Sequence, residues 1–102
     1  MRSQFEIEQM IEGRLKSYLN RDKNGLRREV LRMVLRIRQV TIADIFERLK
    51  KQFSVSFHTV ASMVGIIASR IGILRVNRGA GGLTTYELKE KYVGMVDRIV
   101  GA

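Results

Sequence analysis

The sequence has no cysteine, no proline, no tryptophan and a single histidine, His58. Without cysteine there are no disulfides, thiolate zinc sites, iron–sulfur clusters or cysteine nucleophiles. One histidine leaves no pair for a metal, so neither a metal nor a cofactor is expected. The same absence fits a reducing compartment, and the cytoplasm is the expected location. No apolar run approaches the roughly 18 residues of a membrane span. The stretch from Met1 to Glu8 carries two acids and no apolar core, unlike a secretory leader. Acids are scarce overall: 10 Asp and Glu stand against 19 Lys and Arg, a formal charge of +9 in 102 residues. That excess points to a polyanionic partner, nucleic acid first and an acidic protein or membrane surface second.

What is present is a normal globular fraction of apolar residues, 45 %, which argues against general disorder. The length allows one domain, 1–102, with a small core. Residues 26–53 hold eight bases and three acids, and form the most basic part of the chain. There Arg28, Arg32 and Arg36 recur every four residues and share one helical face. That face is either solvated or turned to phosphates. Arginines so spaced repel one another, and a neighbouring anion relieves the repulsion.

Local signals divide the chain. Ser3, with Glu6 three residues on, caps a helix over 3–20 whose stripe is Ile7, Ile11, Leu15, Tyr18 and Leu19. The turn from Asn20 to Gly25 precedes a second helix over 26–38, with Val30, Met33, Val34 and Ile37 inward. After the extended link Gln39-Val40, Thr41 and Asp44 open a third helix over 42–52, burying Ile42, Ile45, Phe46 and Leu49. Ser56 caps a fourth over 57–71, with Val60, Val64, Ile67 and Ile71 buried and Gly72 as its left-handed terminator. Alternation then predicts strands over 73–78 and 83–88 around Gly79-Ala80-Gly81-Gly82, with Leu74 and Val76 inward and Arg75 outward. Helical period returns over 89–100. The expected class is mainly α with a small β-hairpin (α+β): a winged helix-turn-helix core over 26–88 with extra N- and C-terminal helices.

The stretches Val40-Thr41-Ile42-Ala43-Asp44-Ile45 and Val55-Ser56-Phe57-His58-Thr59-Val60 carry a family resemblance. Ser-x-x-Thr-Val is similar to the turn and recognition helix of ferric uptake regulator-like proteins. The resemblance implies a duplex-reading fourth helix. Those proteins hold metal with clusters of His, Cys and acids, and His58 stands alone here, so no metal site carries over. Their Tyr-Arg pair after Thr-Val is replaced by Ala61-Ser62. The chain also resembles short archaeal winged-helix proteins of unassigned function.

A recognition helix presents its N-terminal half to base edges. The candidates there are His58, Thr59 and Ser62, with Met63 and Ile66 drawn outward beside them. Thr59 can contact a phosphate or a thymine methyl, or cap its own helix. Arg70 is that helix's one base. In the hairpin, Arg75, Asn77 and Arg78 precede a glycine-rich turn that lets backbone approach a phosphate or a minor groove. Arg28, Arg32 and Arg36 complete the candidate set.

The reading is a small transcription regulator binding double-stranded DNA, associated with the nucleoid, and a homodimer through its terminal helices. The stripes of those helices can equally complete a monomer core. The alternative is a protein-interaction module on the same scaffold, favoured by outward Met63 and Ile66. No enzyme, no catalytic residue, no membrane and no small-molecule ligand is expected, because the acids are scattered and no nucleophile is paired with a base.

Overall fold

The computed structural model describes residues 2–101. Helix α1 spans Gln4–Asn20, and Ser3 Oγ accepts from the Glu6 backbone N–H at 3.1 Å. Ile11, Leu15, Tyr18 and Leu19 are buried, while Ile7, one turn from the helix start, stays 37 % exposed. Helix α2 spans Leu26–Arg36. Its N-cap is Gly25, which has no side chain to offer, and Asp22 substitutes for it. The two Asp22 carboxylate oxygens accept from the backbone N–H groups of Arg27 and Arg28, each at 3.1 Å. The expected end at 38 is corrected to Arg36, because Ile37 is extended and leads the chain towards Val40.

Helix α3 spans Ile42–Leu49, shorter than the expected 42–52. Thr41 and Asp44 form a reciprocal capping box, with both hydrogen bonds at 3.0 Å. Helix α4 spans Phe57–Ile66, capped by Ser56. It continues as a π-helical turn, Ile67–Ile71, closed by the Gly72 N–H on the Ile67 carbonyl at 3.0 Å. Gly72, at φ +83°, ends it in the left-handed conformation. Val60, Val64, Ile67 and Ile71 are buried as expected.

Strands β1 (Leu74–Arg78) and β2 (Thr84–Leu88) pair antiparallel, Leu74 with Leu88 and Arg78 with Thr84. Val40 adds a single rung, exchanging backbone hydrogen bonds with Tyr86 at 3.0 and 2.8 Å. Val76 shares the face of Leu74 yet is 40 % exposed. The expected inward placement of Val76 is corrected. Val40 pairs with β2, so β1 is the outer strand: Tyr86, opposite Val76, packs half-buried on the core while Val76 lies at the open edge. A 3-10 turn, Glu90–Tyr92, leads into α5, Val93–Val100.

The core gathers around α2, which packs against α1, α3, α5 and β2. Val30, Leu31, Val34, Ile45, Val60, Ile67, Ile73 and Val96 are at most 2 % exposed. Each such side chain adds about 1.5–3 kcal/mol on burial. The α1 and α5 stripes face this same core, and Arg98 bonds Glu12 at 2.8 Å across the two helices. The described residues are α+β, five α-helices with one two-stranded hairpin, an arrangement compatible with a winged helix.

Candidate nucleic-acid interface

With its apolar stripe buried, α4 leaves a complementary strip in solvent. His58, Thr59, Ser62 and Gly65 on α4, and Ser69 in the turn that continues it, are all exposed, and none is Lys, Arg, Asp or Glu. A Cβ added at Gly65 would meet nothing within 4 Å. A mid-helix glycine costs about 1 kcal/mol against alanine, so this strip is small-surfaced without an internal packing reason. Thr59 also serves its own helix: its N–H donates to Ser56 Oγ at 3.1 Å, and the two hydroxyls lie 2.9 Å apart. The outward placement of Met63 and Ile66 is corrected. Met63 is buried at 9 % and Ile66 packs half-buried on the core, because the stripe is wider than the Val60–Val64 line alone. Phe57 remains 50 % exposed at the first turn, edge-on to Phe46 with ring centroids 5.7 Å apart.

The hairpin carries two exposed cations. Arg75 and Arg78 are exposed, and pleat alternation sets them on opposite faces. Among the described residues Arg78 makes no side-chain hydrogen bond or ion pair. Arg75 lies 4.0 Å from Glu87, which also faces Arg38 at 3.7 Å. Those arginine side chains are 64 % and 85 % exposed, so such pairs are weak. Asn77 is half-buried opposite Thr85. At the tip, Gly81 (φ +76°) and Gly82 (φ +81°) take a backbone conformation that side chains rarely adopt. Leu83 beside them is 59 % exposed. Arg36, Arg38 and Arg75 gather with Glu87 and Glu90 in one groove of about 530 Å³.

The expected arginine face of α2 is corrected in two of its three members. Arg28 Nη1 donates to the carbonyls of Ile99 at 3.2 Å and Val100 at 3.0 Å. Arg32 Nη2 reaches Val100 O at 3.4 Å, and its Nη1 lies 3.6 Å from Glu29. They close the carbonyl end of α5, where unpaired C=O groups and the helix dipole favour a cation. Arg36 alone of the row is exposed. Arg27 is likewise engaged, 2.8 Å from the Tyr18 carbonyl and 4.4 Å over the Tyr18 ring.

The candidates therefore separate. His58, Thr59 and Ser62 share the α4 strip. Arg36 and Arg75 meet in the groove, joined by Arg38, which the sequence reading left out of its set. Asn77 and Arg78 lie further towards the tip. Arg70 stands apart in the π-helical turn after α4, where its carbonyl accepts from Arg14 Nη1 at 3.3 Å. The i,i+4 spacing marked Arg28 and Arg32 as a pair, but no local signal showed that their acceptors lie 68 to 72 residues away.

Two carboxylates are held below their usual range. For Asp44 the cause is the Thr41 backbone N–H, and for Glu12 the Lys16 ammonium. Among the described residues, no three His, Cys, Asp or Glu side chains gather in a way that could hold a metal ion. No described helix is long and apolar enough to cross a membrane.

A protein of Archaeoglobus fulgidus described as an uncharacterized protein is 43 % identical over 91 residues, 88 % of this chain and 92 % of the relative. No solved structure matches. The family described as a protein of unknown function (DUF2551) matches residues 15–96, from the middle of α1 into α5. With that match spanning all of α2 to β2, the chain belongs to the DUF2551 family.

Proposed function

We propose that the protein binds duplex DNA as a small transcription regulator, with α4 entering the major groove and the hairpin tip reaching the adjacent backbone or minor groove. The observation that carries this reading is the pairing of two surfaces. One is a small-surfaced strip on α4 without Lys, Arg, Asp or Glu, which would admit close approach to base edges. The other is a glycine-tipped hairpin with exposed Arg75 and Arg78. The order α2, Val40 rung, α3, capped α4 and hairpin supports a winged helix-turn-helix. The Ser56-x-x-Thr59-Val60 spacing shared with uptake regulators supports α4 as the groove helix, and no metal role comes with it. Phosphate contacts then supply affinity, and His58 and Ser62 the base contacts. Nucleoid association follows from the reading, which assigns no catalytic role.

The test is fluorescence anisotropy on a labelled random duplex across a salt series. Log affinity should fall with log salt at about 0.9 per phosphate neutralised. Selection from random duplexes at physiological salt should then enrich a site, and a palindrome would match a dimer. A flat salt response would end this reading. A second reading, a protein-interaction module, is favoured by exposed Phe57 and Leu83. It predicts a partner whose binding Phe57→Ala weakens while duplex binding is absent. For the dimer, the apolar surface left on the terminal helices is Phe5, Ile7 and Val93, exposed by 65, 37 and 39 %. A monomer mass by light scattering at high micromolar concentration would remove it.

A further inference from the structure

We propose that the cleft between α1 and the end of α4 binds a small amphipathic anion: a carboxylate or phosphate monoester on an apolar body. The cleft holds about 540 Å³, within the range of small-molecule sites. On the α1 side, Met10, Arg14, Ser17 and Arg21 follow one another at three or four residues and form one helical face. On the other side stand Ile66 and Arg70. The cleft is thus part apolar and carries three arginines, with no acid among its lining residues.

The acids nearest in sequence are committed elsewhere. Glu12 bonds Lys16 at 3.0 Å and Arg98 at 2.8 Å, and Asp22 caps α2. Arg14 Nη1 reaches the Arg70 carbonyl at 3.3 Å, and neither Arg21 nor Arg70 has a side-chain partner among the described residues. A neighbouring groove makes the contrast. It also carries three cations, Lys16, Arg28 and Arg98, but each is engaged by Glu12 or by the carbonyls of α5. Three like charges around one opening repel unless an anion joins them.

Two further observations are independent of the charge. Tyr18 lines the cleft, and its hydroxyl is the one buried side-chain polar atom without a partner among the described residues. A buried donor left unpaired costs about 1–3 kcal/mol; the hydroxyl has no surface open to the cleft, so only a shift of the Tyr18 ring would bring it to an anion oxygen. Gly13 also lines the cleft, in the middle of α1, and a Cβ there would meet nothing within 4 Å. No packing requires this glycine, and a side chain at this position would fill the opening. The wall opposite is where α4 passes into the π-helical turn, a backbone form found frequently at functional sites.

The test uses no DNA. Octanoate, octyl phosphate, octanol and inorganic phosphate are titrated into the ¹⁵N-labelled protein, following amide shifts by NMR. The expected result is saturable binding of octanoate or octyl phosphate, with shifts at Gly13, Ser17, Ile66 and Arg70. Octanol and inorganic phosphate should each bind at least about tenfold more weakly, about 1.4 kcal/mol. Arg14→Gln/Arg70→Gln should lose about tenfold or more in octanoate affinity. Gly13→Leu should block the cleft while holding or raising the thermal midpoint, since leucine favours a helix. Equal binding of octanol, equal binding of inorganic phosphate, no shift at these amides, or full octanoate affinity in both variants would each overturn the proposal.

Discussion

The arginines of α2 and those of the hairpin look alike in the sequence and differ completely in the folded chain. Arg28 and Arg32 donate to the carbonyls of Ile99 and Val100 and hold α5 in place. Arg75 and Arg78 stand in solvent, one facing a weakly paired acid and the other facing none. The first pair converts charge into stability, because carbonyl oxygens at a helix end are fixed acceptors. The second pair keeps its charge available for a partner. The +9 of the chain therefore overstates the charge that a polyanion would meet on the α2 face.

The sharpest break of this contrast is charge reversal. Arg75→Glu/Arg78→Glu should lower duplex affinity at least about a hundredfold, some 2.8 kcal/mol, with a thermal midpoint close to wild type. Undiminished binding in anisotropy would remove the hairpin from the interface. Arg28→Ala should do the reverse. It loses hydrogen bonds from a charged donor, about 1.5–3 kcal/mol of stability in urea denaturation, while duplex affinity stays within about twofold. If Arg28→Ala weakens the duplex and spares stability, the two regions have exchanged roles.

Smaller changes sharpen the contrast. Glu87→Gln removes the carboxylate shared by Arg38 and Arg75. Duplex affinity should rise about threefold, under 1 kcal/mol because both arginines are exposed. The smallest effect is a pH response remote from both regions. Asp44 is held below its ordinary value of 3.8 by the Thr41 N–H. A depressed carboxyl contributes stability above its unfolded pKa and loses it as pH falls through the folded one. Thermal midpoints should therefore decline in acid below the ordinary Asp value, and Asp44→Asn should flatten part of that decline.

Most of the fold was legible because its signals are local. Ser3, Thr41 and Ser56 act within three residues of themselves, and Gly72 terminates a helix by its own backbone freedom. The period of α4 identified Val60, Val64, Ile67 and Ile71 correctly, but not how wide the stripe is, so Met63 was placed outside. Stripe width depends on how many elements pack on a helix, which is a tertiary property. Strand alternation set Val76 inward and could not tell that β1 is the outer strand, on which only Leu74 is buried. The site was less legible than the fold. Arg75 and Arg78 are exposed as expected, whereas Arg28 and Arg32 are withdrawn by carbonyls at the far end of the chain. The cleft of Arg14, Arg21 and Arg70 joins residues about 50 positions apart, and nothing in either segment announces the other.

The rung between Val40 and Tyr86 is one residue wide. A single rung fixes where the hairpin touches the helical body but constrains its tilt much less than a ladder would. Gly82 lies four residues beyond Tyr86, roughly 13 Å at about 3.3 Å per residue. A tilt of about 10° at that pivot carries the tip through roughly 2 Å over that span. Leu74 and Leu88 are buried at the base, so a tilt of that size would move the tip while the base stays packed.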